Sequence, residues 1–108
     1  MRYTATDNLP AIHPGEILAD ELDALGLSAR KFADHIGVPP NAITAILHGD
    51  RSITAEMAMR LGKAFATGEL FWMNLQRNYD AKIAREKMRD KISGIEPLVG
   101  GERGGNAA

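Results

Sequence analysis

Four residues in the middle of the chain, Ala33, Gly37, Ile43 and Ile46, constrain its fold more than anything else in it. Two short helices that cross steeply need a small side chain where their axes approach, and Ala33 supplies it. The turn between them needs a residue that accepts positive φ without a Cβ clash, as Gly37 does. Ile43 and Ile46, three positions apart, share the inner face of the following helix and seal it to a core completed by Phe32, Ile36 and Val38. This spacing predicts a helix-turn-helix over about residues 28–48. A plain helical hairpin also wants a glycine turn and two apolar residues per turn, so the outward face has to separate the two readings.

That face carries Asn41, Thr44, Ala45 and His48, all small or hydrogen-bonding, and no acid stands between Gly37 and Gly49. A merely solvated face would carry Glu and Lys. In a major groove, Asn41 can pair bidentately with an adenine edge, and Thr44 and Ala45 can offer methyls to thymine. Arg30 and Lys31 at the start of the preceding helix, and Arg51 after the reading helix, are placed for phosphates. His48 reads either as a further phosphate donor or as a solvated helix end. Pro39 and Pro40 stand where a Ser or Thr cap is usual, and they remove backbone N–H groups that could have held a phosphate.

The formal net charge of the 108-residue chain is −1, which at first sight argues against a polyanionic partner. The charge is unevenly distributed. Ile12 to Leu27 holds Glu16, Asp20, Glu21 and Asp23 with no Lys or Arg, whereas Ser28 to Lys63 has five bases against three acids and Arg77 to Lys91 six against three. Binding follows the local field, so a basic face survives a near-neutral sum. The field is nonetheless modest, and one domain with so few contacts binds weakly. Specific recognition then calls for two copies on half-sites about one helical turn apart. The acidic run reads as a solvated helix face or as a surface for a basic partner.

Period and punctuation give five helices and no strand, an all-α domain. Pro14 suits the first turn of a helix whose Ile17, Leu18, Leu22 and Leu25 face inward and which Gly26 closes. Ser28 caps a second helix over residues 29–36, a third runs over about 40–47, and Thr54 caps a fourth with Met57, Leu61, Ala64 and Phe65 as its apolar stripe. A long last helix begins near Glu69, presents Phe71, Trp72, Leu75, Tyr79 and Ile83, and is expected to fray beyond Lys91. That aromatic stripe reads as core or, in second place, as a dimer surface. Residues 1–11 form an extended arm, 12–93 the helix-turn-helix domain with its C-terminal helix, and 94–108 a flexible, glycine-rich tail without apolar residues to bury at its end.

Other chemistries find little support. The chain has no cysteine, and His13, His35 and His48 show no metal-ligand spacing. There is no nucleophile–base pair and no glycine-rich phosphate loop, so neither a catalytic nor a cofactor site is expected and an enzyme or small-molecule sensor is the weakest class. His13 and Glu16 in "HPGE" pair an imidazole with a carboxylate but lack a third group, so His13 is expected to brace the first helix. No apolar run approaches the ~20 residues that span a bilayer, no signal region opens the chain, and a cytoplasmic protein is expected.

"HPGEILADEL", "NAITAILHGDRSITAEMAMRLGKAF" and "FWMNLQRNYD", with "IEPL" near the end, together resemble the HigA-type antitoxins of bacterial toxin–antitoxin pairs. These belong to the xenobiotic-response-element (XRE) group of helix-turn-helix regulators, and the likeness covers roughly residues 12–98. "HPGE" and "FWMNLQ…YD" are its discriminating parts. The resemblance implies a lambda-repressor-like fold and a cytosolic homodimer that binds double-stranded operator DNA, represses its own operon and silences HigB, a small basic ribonuclease. By motif match, Pro40, Asn41, Thr44 and Ala45 fall where the family reads bases. "ATGELFW" departs from the Ser-Pro pair common before Glu-Phe-Trp, and Ala81 stands where Leu is common. Some members have no toxin, so a solitary XRE-family regulator is the alternative.

Overall fold

The computed structural model describes residues 10–100; most of the expected arm, and the tail beyond Gly100, lie outside them. Five helices follow in order: α1 (Pro14–Leu25), α2 (Ala29–Ile36), α3 (Pro40–Leu47), α4 (Ala55–Ala64) and α5 (Glu69–Ser93). No strand occurs among the described residues. The boundaries follow from the caps. Ser28 Oγ accepts the Lys31 N–H at 3.1 Å and Thr54 Oγ1 the Met57 N–H at 3.2 Å, each satisfying a donor that the first helical turn leaves unpaired. Gly26 and Gly37 end α1 and α2 with φ of 67° and 76°.

One core joins all five helices. Ile17, Leu18 and Leu22 of α1 meet Phe32 and Ala33 of α2, Ile43 and Ile46 of α3, Ala58 and Leu61 of α4, and Trp72 of α5. Trp72 is the largest fully buried side chain. Its burial is worth roughly 4–6 kcal/mol by area, and its indole N–H is satisfied by Thr67 Oγ1 at 3.0 Å. Phe65 bridges Trp72 to Phe32, with ring centroids 5.6 Å and 5.2 Å away.

Three expected core positions are corrected. Leu25 is 59% exposed. The Gly26 N–H donates to Asp23 O and the Leu27 N–H to Leu22 O, a turn that brings the residue after the glycine back onto the helix. Leu27 therefore packs on the core in place of Leu25. In α4 the inward face is Met57, Ala58, Leu61 and Gly62, continued by Phe65 at the C-cap, while Ala64 is exposed. A Cβ on Gly62 would stand 2.3 Å from the Gly68 carbonyl carbon, so α4 and the start of α5 meet at a close corner beside Ala58 and Leu61. Phe71 is 42% exposed and only edges Trp72 at 5.3 Å. Nor does α5 stop at Lys91: it meets no glycine or proline before Gly94 and runs to Ser93.

The "HPGE" string joins α1 to α3. His13 Nδ1 accepts the Gly15 N–H at 2.9 Å, and Glu16 Oε2 accepts the His13 N–H at 3.2 Å, a reciprocal capping box. Pro14 fills the first helical position, where no N–H is needed. Gly15 is required by space: a Cβ there would lie 2.0 Å from the Ile46 carbonyl oxygen at the end of α3. The His13 ring packs edge-on against Tyr79 of α5, centroids 4.9 Å apart. Imidazole and carboxylate are thus both engaged in bracing the helix, as the lack of a third group led us to expect.

Candidate nucleic-acid interface

α3 is a short helix with one face buried and the other open. Ala42, Ile43 and Ile46 are buried; Asn41 and His48 are exposed, and Pro40, Thr44 and Ala45 half-buried. Asn41, Thr44, Ala45 and His48 recur at three- and four-residue spacing and so share the outward face. The Thr44 hydroxyl donates to the Asn41 carbonyl at 3.3 Å, which leaves its methyl as the part to present. Pro39 is the N-cap and makes no side-chain capping bond. The Ala42 N–H is taken by the Pro39 carbonyl at 3.0 Å. The exposed Asn41 side chain is therefore the chief polar group at this end of the helix.

The candidate cationic residues lie in the segments on either side of α3. Arg30 and Lys31 are exposed in the first turn of α2, and Arg51 is exposed in the loop after α3. That loop is well fixed. Gly49 turns it at φ 80°, and the Asp50 N–H donates to Ala45 O at 2.8 Å. Its far end is pinned by a contact that no local pattern announced: the Ile53 N–H donates to Gln76 Oε1 of α5 at 2.7 Å. Gln76 is buried and its amide donates to Asp80 Oδ1 at 3.0 Å.

A second such contact changes the charge reading. Arg60 donates from its guanidinium to the Ile36 carbonyl, the last of α2, and lies against Gly37. One of the five bases between Ser28 and Lys63 thus holds the turn of the motif and is less available to a phosphate. Arg30, Lys31 and Arg51 remain exposed. The acidic residues Glu16, Asp20, Glu21 and Asp23 are all exposed on α1, although Glu16 is engaged in the cap. Among the described residues no group of three His, Cys, Asp or Glu is arranged to hold a metal ion, and no helix is long and apolar enough to cross a membrane.

Comparison with known proteins agrees with this arrangement. A helix-turn-helix family model matches residues 18–72. An addiction-module antidote protein of the HigA family from Coxiella burnetii has 50% identity and a TM-score of 0.80, over 83% of this chain and 100% of that one. The Pseudomonas aeruginosa antitoxin HigA, solved with the higBA promoter, has 40% identity and a TM-score of 0.79, over 83% of this chain and 100% of that one. Virulence-associated protein I of Dichelobacter nodosus is 43% identical over 85% of each chain. The chain thus belongs to the helix-turn-helix family, in the XRE group that includes the HigA-type antitoxins.

Proposed function

We propose that the protein is an antitoxin that acts as a DNA-binding autorepressor: a homodimer that holds double-stranded operator DNA through α3 and also neutralises a small, basic, HigB-type ribonuclease. The observation that carries this reading is the outward face of α3, free of acids and fixed from behind by a fully buried apolar face. The P. aeruginosa relative solved with promoter DNA supports it. Asn41 reads an adenine edge, Thr44, Ala45 and Pro40 offer apolar contact to neighbouring bases, and Arg30, Lys31, His48 and Arg51 hold phosphates. The work is binding, with no catalytic step, and its place is the cytoplasm, where operator and messenger RNA are met. Residues 12–93 act as one unit.

The test is affinity capture of the tagged protein from its own host, washed with nuclease, followed by mass analysis. A stoichiometric basic partner of small-ribonuclease size is expected. A clean protein with nothing attached, still retarding its own promoter fragment, would leave the solitary regulator in place of the antitoxin.

A further inference from the structure

The loop between α3 and α4 is held at two points by its own backbone N–H groups. At its start the Asp50 N–H donates to the carbonyl of Ala45, on α3, at 2.8 Å. At its end the Ile53 N–H donates to Gln76 Oε1 of α5 at 2.7 Å. Arg51 and Ser52 lie between these two points and are exposed. The Ile53 side chain is itself buried in the core at 6% exposure, and that contact alone keeps the loop against the protein. Apolar contact has no direction, whereas a hydrogen bond weakens steeply as it bends. The bond to Gln76 therefore fixes what the burial of Ile53 leaves free, the orientation of the backbone that leads back to Arg51. Gln76 is 6% exposed. A methionine of the same length would fill its place but would leave the Ile53 N–H without this acceptor.

The amide is itself oriented. Turned over, it would offer its NH2 to the loop in place of its oxygen, and only one of the two arrangements can serve the Ile53 N–H. Gln76 Nε2 donates to Asp80 Oδ1 at 3.0 Å, one turn further along α5. A carboxylate accepts and does not donate, so Asp80 selects the arrangement in which Oε1 faces the loop. Asp80, Gln76 and the Ile53 N–H thus form a chain of acceptors and donors. It leads from an exposed side chain, through a buried one, to the backbone two residues after Arg51.

We infer that Gln76, oriented by Asp80, is a positioning residue for DNA binding: it fixes the loop over residues 49–53 so that Arg51 meets a phosphate from a chain that is already ordered. The inference rests on the phosphate contact proposed above for Arg51. Its effect is preorganisation, since a contact made from a fixed loop does not lose affinity to the ordering of that loop.

Two measurements on the full chain test it. Deuterium exchange without DNA reads the loop: in Gln76→Met, exchange over residues 49–53 should rise while that of α3 holds. Unchanged exchange there would overturn the proposal whatever the DNA result. Titration of the protein's own promoter fragment at several salt concentrations reads the contact. Gln76→Met should weaken binding several-fold and flatten the salt dependence as far as Arg51→Ala does. The double variant Gln76→Met, Arg51→Ala should bind no more weakly than Arg51→Ala alone, because both changes remove the same contact. Losses that multiply instead would mean that Gln76 acts through general stability, and would overturn the positioning role. Parental affinity and salt slope in Gln76→Met, with Arg51→Ala weakened, would overturn it too and leave the DNA reading standing. Arg51→Ala binding as tightly as the parent would overturn the phosphate contact and the inference that rests on it. Asp80→Ala, at an exposed position, disturbs no core packing and carries the same comparison should Gln76→Met fail to fold. A smaller loss of affinity is expected, present only with Arg51 in place. Parental binding by Asp80→Ala would overturn the orientation of the amide by Asp80.

Discussion

Two helices of this protein begin on proline, and they begin differently. α1 opens with Pro14 behind a histidine cap, its first-turn groups held by His13 and Glu16 and its backbone pressed against the end of α3. α3 opens with Pro40 behind Pro39, with no side-chain cap at all. The residue at N1 is the same and the environment opposite. The start of α1 is closed by hydrogen bonds and packing; the start of α3 is held from behind by Ala42, Ile43 and Ile46 and left open in front. What separates a structural helix start from one available to a partner is whether the groups around it already have partners of their own.

Substitutions at the two starts should therefore fail in different ways. Gly15→Ala drives a methyl into the Ile46 carbonyl and is expected to cost roughly 3 kcal/mol of stability, read as a large fall in melting temperature with DNA binding lost alongside. Asn41→Ala should leave melting unchanged and remove about 1–3 kcal/mol of discrimination at one base position, read by competition between operator variants. If it melts early instead, the front of α3 is structural too. His13→Ala removes the α1 cap for about 1 kcal/mol, and His13→Asn should recover much of it; operator affinity of the folded fraction should not move. Arg51→Ala should weaken all sequences alike and lower the salt slope by about one. Smallest of all, Pro39→Ser offers α3 the cap it lacks while loosening the unfolded chain, and the two effects should cancel to within about 0.5 kcal/mol.

The helix boundaries were legible because their causes are local: Ser28, Thr54, Gly26 and Gly37 act within four residues of themselves. The reading face of α3 was legible for the same reason, since a spacing of three or four fixes which side chains share a side. The misjudged positions depend on contacts that period does not encode. Leu25 yielded to Leu27 because the chain doubles back after Gly26, and on α4 the buried side includes Ala58 and Gly62, the latter pressed against the Gly68 backbone, and leaves Ala64 out. Gln76 and Arg60 read as surface residues of two helices. Their partners, the Ile53 amide and the Ile36 carbonyl, lie 23 and 24 positions away, and only the assembled fold brings them together. The exposed apolar side of α5, with Leu70, Met73, Met88 and Ile92, was present in the sequence but hidden by the buried side, because apolar residues on opposite sides leave a helix with little net asymmetry.

The bond from Gln76 to Ile53 also makes α5 a strut. The loop carrying Arg51 is fastened by it to the longest helix of the fold, so a load placed on that loop is passed to α5 and, through the buried Trp72, to the common core.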